Sequence, residues 1–408
     1  MTQCNIPSSF SASPPSQITQ TAAAPKALGP IRRLSSGGPT PRVNSRTETL
    51  TLQSHAGYLM PNYSVAFCLK SIIHGYSGVD VLYSPSSQTA HFGGLMRCKS
   101  AWMCPCCASN ITEARRKEMM IALKKAKSLG YKMVMVTYTF SHHRGDVLKS
   151  MMTKLSKAFG RYKSGRQSQV LKVRHGVVGT IKALEVTHSL MNGWHPHIHE
   201  LVILQGDADV QAFANDASTN WQHSAAMSGL DMDEHGFNLV ECDEWIAEYV
   251  AKYGIEPSKN TVEAHDNGWN ESTELTKWHM KNSKASSCSE RGYKEHITPF
   301  GLLKYSSRGD VQAGALFVEY ALAFKGLKQL HWSKGLKELF AIEEKTDEEI
   351  IDEQEDDVIT MVHLSRDDWK IIVGNDCRGE LLDAARGGNY DRLYQFLYDV
   401  GIVVAFAA

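Results

Sequence analysis

The segment from 131 to 256 alternates between strand-like and helix-like residues, and this order constrains the fold of the 408-residue chain more than any other feature. Runs rich in β-branched and aromatic residues predict strands, and runs with apolar residues every three or four positions predict helices. The predicted strands cover 131–142, 173–187, 195–204 and 237–243, and the predicted helices cover 146–163, 208–228 and 244–253. Two split β-α-β units of this kind make one antiparallel sheet with helices packed on one face. We therefore predict an α+β fold class.

The composition on either side of this segment suggests how the rest of the chain is organised. Residues 1–50 are rich in Ser, Pro, Thr, Ala and Gly, which predicts disorder. The other predicted regions are a Cys-rich subdomain at 51–130, the core at 131–256, a helical part at 257–340, an acidic linker at 341–358 and a small helical tail at 359–408. Within them, further helices are predicted over 111–130 and near 310–325 and 333–342.

The charges of the chain are segregated. The formal net charge is zero, but residues 341–358 contain ten acidic residues and a single base, Lys345, so this stretch has a charge of −9 and the rest of the chain +9. A basic body with a separate acidic segment is compatible with a phosphate-bearing partner. For the acidic run itself, a solvated linker is the favoured interpretation.

The apolar runs and cysteines indicate the compartment. The longest apolar runs, such as 133–140 and 201–204, are far shorter than the twenty or so residues that a membrane crossing needs. Four of the nine cysteines lie within 98–107, which suits a reduced compartment and a metal better than scattered disulfides. We expect a cytoplasmic protein without a membrane partner.

A short His-rich strand, WHPHIHELVIL at 194–204, predicts a metal site. Side chains two apart on a strand leave by the same face, so His197 and His199 can reach one cation. If the hairpin turns at Asn192-Gly193, Glu185 lies beside His199 and supplies a carboxylate. Two imidazoles and one carboxylate leave open positions on a divalent ion, and Mg²⁺ or Mn²⁺ is the expected cofactor. His195 has the same parity and is the competing candidate, and polar edge surface is the structural alternative for the whole motif.

Two tyrosines fifty residues downstream are the candidate nucleophiles. In EYVAKYG at 248–254, Tyr249 and Tyr253 are four apart, which places them one above the other on a helix. A phenol needs a nearby positive charge and a polarised phosphate to act as a nucleophile at neutral pH, and Lys252 and the metal are expected to provide them. Tyr249 is the first choice because Lys252 follows three residues later on its face. Tyr253 is either a second nucleophile or a packing aromatic.

The cysteine cluster RCKSAWMCPCC predicts a structural zinc site. Cys104 and Cys107 have the spacing of a zinc knuckle, and Cys98 is a good third ligand. We assign Cys106 as the fourth ligand, with His91, His74 and Cys68 as alternatives that the sequence does not separate. The role expected for the zinc is to shape a DNA-binding subdomain. Ordinary buried thiols are the alternative interpretation.

The helix predicted over 111–130 is strongly basic. Arg115, Arg116, Lys124 and Lys125 are the residues predicted to contact DNA phosphates.

Together these motifs resemble those of the rolling-circle replication initiators of small bacterial plasmids, in the HUH endonuclease superfamily. The resemblance spans roughly 90–340. The motifs that carry it are the Cys-rich segment at 98–107, VTYTFSH (136–142), LEVT (184–187), WHPHIH (194–199), YVAKY (249–253), TPFGLLKY (298–305) and FKGLKQLHWSKGL (324–336). The paired tyrosines are similar to those of the initiators of isometric single-stranded phages.

The resemblance implies a fold, an activity and partners. It implies an HUH endonuclease core at 131–256, with His197, His199 and Glu185 as metal ligands and Tyr249 as the nucleophile. Proteins of this family bind a double-strand origin, nick one strand in an exposed single-stranded hairpin and leave a 3′-OH for a host polymerase; a host helicase is a further expected partner. The resemblance assigns no counterpart and no role to the N-terminal 50 residues or to the region 341–408.

Two other function classes share part of this evidence. A relaxase or transposase of the same superfamily uses the same chemistry, but in relaxases the tyrosine generally precedes the histidine motif, whereas here it follows. The other class is a zinc-containing DNA-binding regulator without catalysis. The oligomeric state, the recognised origin and the kind of replicon do not follow from the sequence.

Overall fold

The computed structural model describes residues 45–233, 235–242, 296–352 and 357–404, all within one compact unit, Val43–Ala408. The helices of these ranges are α1 (Ser45–Leu59), α2 (Pro105–Ser128), α3 (Leu148–Lys163), α4 (Gly165–Arg174), α5 (Val210–Ala226), α6 (Pro299–Ser306), α7 (Val311–Phe324), α8 (Leu336–Leu339), α9 (Asp347–Asp352), α10 (Arg366–Gly374), α11 (Arg378–Ala384) and α12 (Tyr390–Asp399). The strands are β1 (Gly78–Ser84), β2 (Thr89–Gly93), β3 (Lys132–Tyr138), β4 (Val177–Ser189), β5 (Gly193–Leu204), β6 (Phe237–Glu241), β7 (Leu330–Trp332) and β8 (Ile359–Ser365).

The central element is a five-stranded sheet in the order β6-β3-β5-β4-β7, and all its strand pairs are antiparallel. Its first four strands arise from the chain order β3-α3-α4-β4-β5-α5-β6. The predicted α+β class with an antiparallel sheet is confirmed. The predicted helix over 244–253 lies outside the described residues.

Both faces of this sheet are covered, whereas helices on one face were expected. Alternate residues of β3 and β5 point to opposite sides. Val134, Val136, Ile198 and Val202 pack with residues of α3 and α5. Their neighbours Met133, Met135, Leu201 and Ile203 pack instead with Met119, Ala122, Leu123 and Ala126 of α2. Strands with apolar residues on both sides need a cover on each face, and α2 provides the second one.

A second, three-stranded sheet joins the two ends of the described chain in the order β2-β1-β8. Strand β8 opens the region 359–408 that was expected to be a small helical tail, so that expectation is corrected. The apolar residues of this sheet, including Val79, Val81 and Leu364, form a cluster with Trp369 and Leu393 of the helices that follow. The tail is therefore part of a shared core rather than an appendage.

Several element boundaries differ from those predicted. Helix α1 begins at Ser45, within the segment predicted as disordered; residues 1–44 are not described. Helix α2 begins at Pro105 instead of 111, because proline suits the first helical turn, where no N–H partner is required. Helix α4 was not predicted, and it starts after Ser164 where Gly165 adopts φ +85°.

The acidic segment 341–358 is only partly a linker. Its residues 347–352 form helix α9, and Asp347 pairs with Arg115 of α2 at 2.7 Å. Asp352 pairs with Lys99 at 2.6 Å. Residues 353–356 lie outside the described ranges. Basic residues of the Cys-rich region thus neutralise part of the acidic run.

Among the described residues, none of the helices is both long enough and apolar enough to span a membrane.

Candidate functional site

The candidate metal-binding motif lies on the hairpin formed by β4 and β5. The two strands pair from Ser189↔Gly193 inward, so three residues, Leu190, Met191 and Asn192, form the turn. Gly193 closes the turn with φ +74°, a conformation that favours glycine, and a Cβ there would come within 3.0 Å of the Arg144 backbone. A three-residue turn of this kind shifts the register relative to a two-residue turn.

This register corrects the predicted position of Glu185. Glu185 lies opposite His197, and Ala183 lies opposite His199, whereas Glu185 was expected opposite His199. The error is two positions along the strand, which leaves a side chain on the same face. Glu185 therefore still shares a face with both histidines.

The three predicted ligands converge. The Nε2 atoms of His197 and His199 are 3.1 Å apart. A carboxylate oxygen of Glu185 lies 2.9 Å from Nε2 of His199 and 3.3 Å from Nε2 of His197. All three side chains are buried. One oxygen and two nitrogens therefore converge on a single small volume.

The outer ring nitrogens of the two histidines are held by neighbours. Nδ1 of His197 donates to the carbonyl oxygen of His195 at 3.3 Å. Nδ1 of His199 is 3.0 Å from the hydroxyl oxygen of Thr137, which lies opposite it on β3. Such partners set the ring orientation and the tautomer of a metal-ligating histidine. With Nδ1 of His197 protonated, its Nε2 lone pair faces Glu185.

The distances fit one face of an octahedral divalent cation. Ligands about 2.1 Å from Mg²⁺ and about 90° apart are about 3.0 Å from one another. The three separations of 2.9, 3.1 and 3.3 Å match this value. Imidazole nitrogens also admit transition metals such as Mn²⁺. These residues can hold a cation on one side and leave its remaining positions open.

The electrostatics of Glu185 support the charged form. Burial raises the pKa of this carboxyl group, but the charges and hydrogen bonds of His197 and His199 outweigh burial and hold its pKa well below the usual range. The two neighbouring imidazoles thus stabilise the negative form of this buried carboxyl group.

His195, the competing candidate, does not join this group. Its Nδ1 lies 2.6 Å from Nε2 of His142, whose Nδ1 donates to the carbonyl oxygen of Asn192. Burial, followed by the nearby His197 and His142, lowers the pKa of His195 to about 3. The residue is a neutral link between the hairpin and the loop after β3.

Three of the four cysteines predicted as zinc ligands lie together in the structure, and Cys68 takes the place expected for Cys106; zinc binding itself stays a prediction. Cys68, Cys98, Cys104 and Cys107 form the group whose sulfur atoms lie together. Cys68 follows a short 3-10 helix, Ser64–Phe67, and had been one of the alternatives. The Cys106 sulfur is directed instead to the carbonyl oxygen of Thr49 at 3.8 Å. In a helix that begins at Pro105, adjacent residues point in different directions, so Cys106 and Cys107 cannot face the same centre.

The cysteine group fits a tetrahedral zinc ion. Zn–S bonds of about 2.3 Å in a tetrahedron place the sulfur atoms about 3.8 Å apart. The separations are 3.6 Å for Cys68–Cys107, 3.7 Å for Cys98–Cys107 and 3.6 Å for Cys68–Cys104. Burial raises the pKa of Cys104, whereas hydrogen bonds from the other thiols lower the pKa of Cys107. A metal would let all four act as thiolates.

The basic residues predicted on α2 have mixed surroundings. Arg115 pairs with Glu118 and Asp347, and Arg116 pairs with Glu113. Lys124 is exposed and Lys125 is half-buried. The two arginines are thus engaged within the protein, and their assignment to DNA stays a prediction.

The predicted nucleophile lies outside the described residues. Tyr249, Lys252 and Tyr253 fall within 243–295. Their proximity to the metal group therefore stays a prediction.

Comparison with known proteins agrees with the motifs. The family model described as "Replication protein" matches residues 92–214, which span α2 to α5 and include both candidate metal groups except Cys68. "Protein rep" of Streptomyces lividans is 24% identical over 392 aligned residues, covering 77% of this chain and 81% of that protein. The "Neomycin resistance protein" of Streptomyces cyanogenus is 28% identical over 170 residues, 33% of this chain and 39% of that protein. No solved structure matches the chain. The family match and the alignment with "Protein rep" confirm the resemblance to replication initiators.

Proposed function

We propose that the protein initiates rolling-circle replication by nicking one strand of an origin through metal-assisted tyrosine transesterification. The observation that carries the proposal is the convergence of Glu185, His197 and His199 within 3.3 Å of one another on the β4–β5 hairpin. The match of residues 92–214 to a replication protein family and the likeness to "Protein rep" support the substrate class, which is DNA at an origin. The element order around the hairpin is compatible with the HUH endonuclease core that the sequence resembles.

The three-ligand group suits chemistry rather than fold maintenance. A divalent cation held there would polarise a scissile phosphate. The protein's own contribution is to hold the ligands in place: Thr137 and the His195 carbonyl keep the two imidazoles turned toward Glu185.

The reach of the chain is compatible with Tyr249 as the nucleophile. Across the sheet, Asn238 of β6, Thr137 of β3 and His199 of β5 lie at one level. Glu241, at the end of β6, is three positions further, about 10 Å away along the strand. With residues 244–249 in the predicted helix, the eight residues from Glu241 to Tyr249 can span up to about 18 Å, so the tyrosine can return to the level of His199.

In the proposed reaction, the Tyr249 phenolate attacks the phosphorus of one phosphodiester. The P–O3′ bond breaks, the protein keeps a 5′-phosphotyrosine and the 3′ oxygen leaves, takes up a proton and becomes the 3′-OH primer. Lys252 would stabilise the phenolate. Because the phosphotyrosine conserves the energy of the bond, the reverse attack by a 3′-OH rejoins the strand. Under this proposal the partners are double-stranded origin DNA, its single-stranded hairpin, and a host helicase and polymerase.

A covalent-adduct assay tests the proposal. Purified protein is incubated with labelled single-stranded origin DNA and Mn²⁺, and adducts are resolved on a denaturing gel. We expect an adduct with the wild type and none with Tyr249→Phe, while the matched Tyr253→Phe variant separates a second nucleophile from a packing aromatic. His197→Ala should lose adduct formation while binding duplex DNA nearly as well as the wild type, because phosphate contacts do not need the metal ligands.

Three results of this assay would contradict parts of the proposal. No adduct with the wild type would favour a DNA-binding regulator without catalysis. An adduct that persists in Tyr249→Phe but is lost in Tyr253→Phe would identify Tyr253 as the nucleophile. Equal loss of cleavage and duplex binding in His197→Ala would contradict the metal-ligand role.

A further inference from the structure

Helices α3 and α4 lie in the longest stretch of the described chain that carries basic residues and no acidic ones. Residues 147–184 contain nine Lys or Arg and no Asp or Glu. The two helices cover 148–163 and 165–174, with only Ser164 between them. Such a stretch has no internal anionic partner, unlike the basic part of α2.

One side of α3 is buried against the central sheet and α5. Its buried residues are all apolar or aromatic, and they pack with β3, β5 and α5; they are Leu148, Met151, Met152, Leu155, Ala158, Phe159 and Tyr162. This regular spacing leaves one continuous face for solvent. The exposed face is therefore held rigidly relative to the sheet.

The exposed side carries the charge. Lys149, Lys154, Lys157 and Arg161 on α3 and Arg166 on α4 are all exposed, and we call these five residues the α3–α4 surface. Within the ranges that the structure describes, none of the five forms an ion pair, in contrast to Arg115 and Arg116. Ser150, Thr153 and Ser156 lie among them on the same exposed face, and hydroxyls also donate to phosphate oxygens.

The spacing of these charges matches a nucleic-acid backbone. Lys154, Lys157 and Arg161 follow the i, i+3, i+7 pattern of one helix stripe. The stripe is about 10 Å long. One strand of duplex DNA presents about three phosphates over that length of helix axis. Beyond the stripe, α4 adds Arg166 and the exposed amides Gln167 and Gln169.

We propose that the α3–α4 surface binds the sugar-phosphate backbone of duplex DNA. The proposal rests on the proposed function for the statement that the duplex is replication-origin DNA. It assigns duplex binding to α3 and α4 and not to α2, whose arginines are occupied by Glu118, Asp347 and Glu113.

The surface lies on the opposite side of the sheet from the metal ligands. The residues of α3 pack with Ile198 and Val202, whereas His197 and His199 point to the other face of β5. A duplex held on α3 and α4 leaves the metal side free for a single strand. Binding and cleavage then use separate surfaces of one domain.

The test compares three triple variants by fluorescence anisotropy with a mixed-sequence duplex of about 20 base pairs, two helical turns, over a range of salt concentrations. The variant of the proposed surface is Lys154→Ala/Lys157→Ala/Arg161→Ala. Its matched control removes two lysines and one arginine from exposed positions elsewhere, Lys328→Ala/Lys334→Ala/Arg392→Ala. The rival surface is tested with Lys117→Ala/Lys124→Ala/Lys127→Ala on α2.

We expect the α3 variant to bind the duplex at least about tenfold more weakly than the wild type at moderate salt. The slope of the logarithm of affinity against the logarithm of salt concentration should fall by about 3, one unit for each lost phosphate contact. The control should bind like the wild type. Thermal unfolding should be nearly unchanged in all three variants, because the replaced side chains are exposed.

Unchanged duplex binding by the α3 variant overturns the proposal, and so does an equal loss in the α2 variant or the control. A loss of binding to phosphatidylserine vesicles without a loss of duplex binding would indicate a membrane surface and also overturns it. Adduct formation on single-stranded DNA is measured separately with the wild-type protein. If that adduct is absent while the α3 variant loses duplex binding, the proposed catalysis fails and the α3–α4 surface stands.

Discussion

At the scale of single residues, four histidines of the hairpin region have different roles because their surroundings differ. His197 and His199 turn their Nε2 atoms to Glu185, whereas His195 bonds to His142. His188 lies on β4 with its ring edge-on to Trp194 at 4.9 Å. The residue type alone did not distinguish a ligand from a packing group.

His188 predicts a pH dependence of stability. Burial lowers the pKa of His188 to about 4, and its Nδ1 atom is buried without a hydrogen-bond partner in the described structure. The unfolded chain, with a pKa near 6.5, binds the proton first, so the free energy of unfolding should fall as the pH drops from about 6.5 toward 4.

We expect His188→Gln to lose less stability than the wild type between pH 7 and about pH 5, because glutamine has no proton to gain in this range. Urea unfolding at the two pH values measures the difference. Equal losses in the two proteins would show that His188 does not contribute to the acid sensitivity.

At the scale of elements, the beginning of α2 decides which cysteines meet. Cys104 precedes the first helical turn and Cys107 lies within it, and both point toward Cys68 and Cys98. Cys106, between them, faces Thr49 of α1. The N-terminal end of α2 thus positions two of the four cysteines of this group, Cys104 and Cys107, and the rest of the helix covers the central sheet.

Two cysteine-to-serine substitutions test which cysteines bind zinc. Cys68→Ser should lower the bound zinc content and destabilise the protein, because a structural zinc site contributes directly to folding. Cys106→Ser should retain the wild-type zinc content, measured by atomic absorption after dialysis. Retention of zinc by Cys68→Ser with loss in Cys106→Ser would restore the assignment made from the sequence.

At the scale of the whole molecule, strands from the two ends of the described chain form one three-stranded sheet. Strand β8 pairs with β1 from Gly78↔Ser365 to Tyr83↔Ile359. Arg378, 1% exposed, donates to the carbonyl oxygen of Leu69 and to Gln53 and Ser54 near the Cys-rich region. The C-terminal region therefore supports the cysteine group as well as its own helices.

This arrangement predicts that the C-terminal helices stabilise the N-terminal sheet. Trp369 is 3% exposed, packs edge-on to Phe92 at 5.0 Å and donates to the carbonyl oxygen of Lys70 at 2.7 Å. Trp369→Ala should lower the free energy of unfolding by about 3–5 kcal/mol, the cost of truncating a large buried aromatic. Tyr398→Ala, at a side chain that is 71% exposed, should change it by less than about 0.5 kcal/mol.

Urea unfolding of the two variants measures both values. A change of less than about 0.5 kcal/mol in both variants would contradict a stabilising role for the contacts of Trp369 with Phe92 and Lys70.

Local patterns were sufficient for much of the candidate site. The i, i+2 spacing of His197 and His199 places both rings on one face of any strand, and the parity of Glu185 brought it to that face. The predicted register was misplaced because the turn contains three residues, Leu190, Met191 and Asn192, and a two-residue turn was expected.

The amino-acid sequence by itself determined the α+β order of the core, the shared face of the two histidines and three of the four cysteines that come together, because each depends on spacing within a few residues. Only the tertiary structure decided that Cys68 replaces Cys106, that β8 completes a sheet with β1, and that Asp347 occupies Arg115. These contacts join residues at least thirty positions apart, and their formation depends on the packing of whole elements, which local residue patterns do not encode.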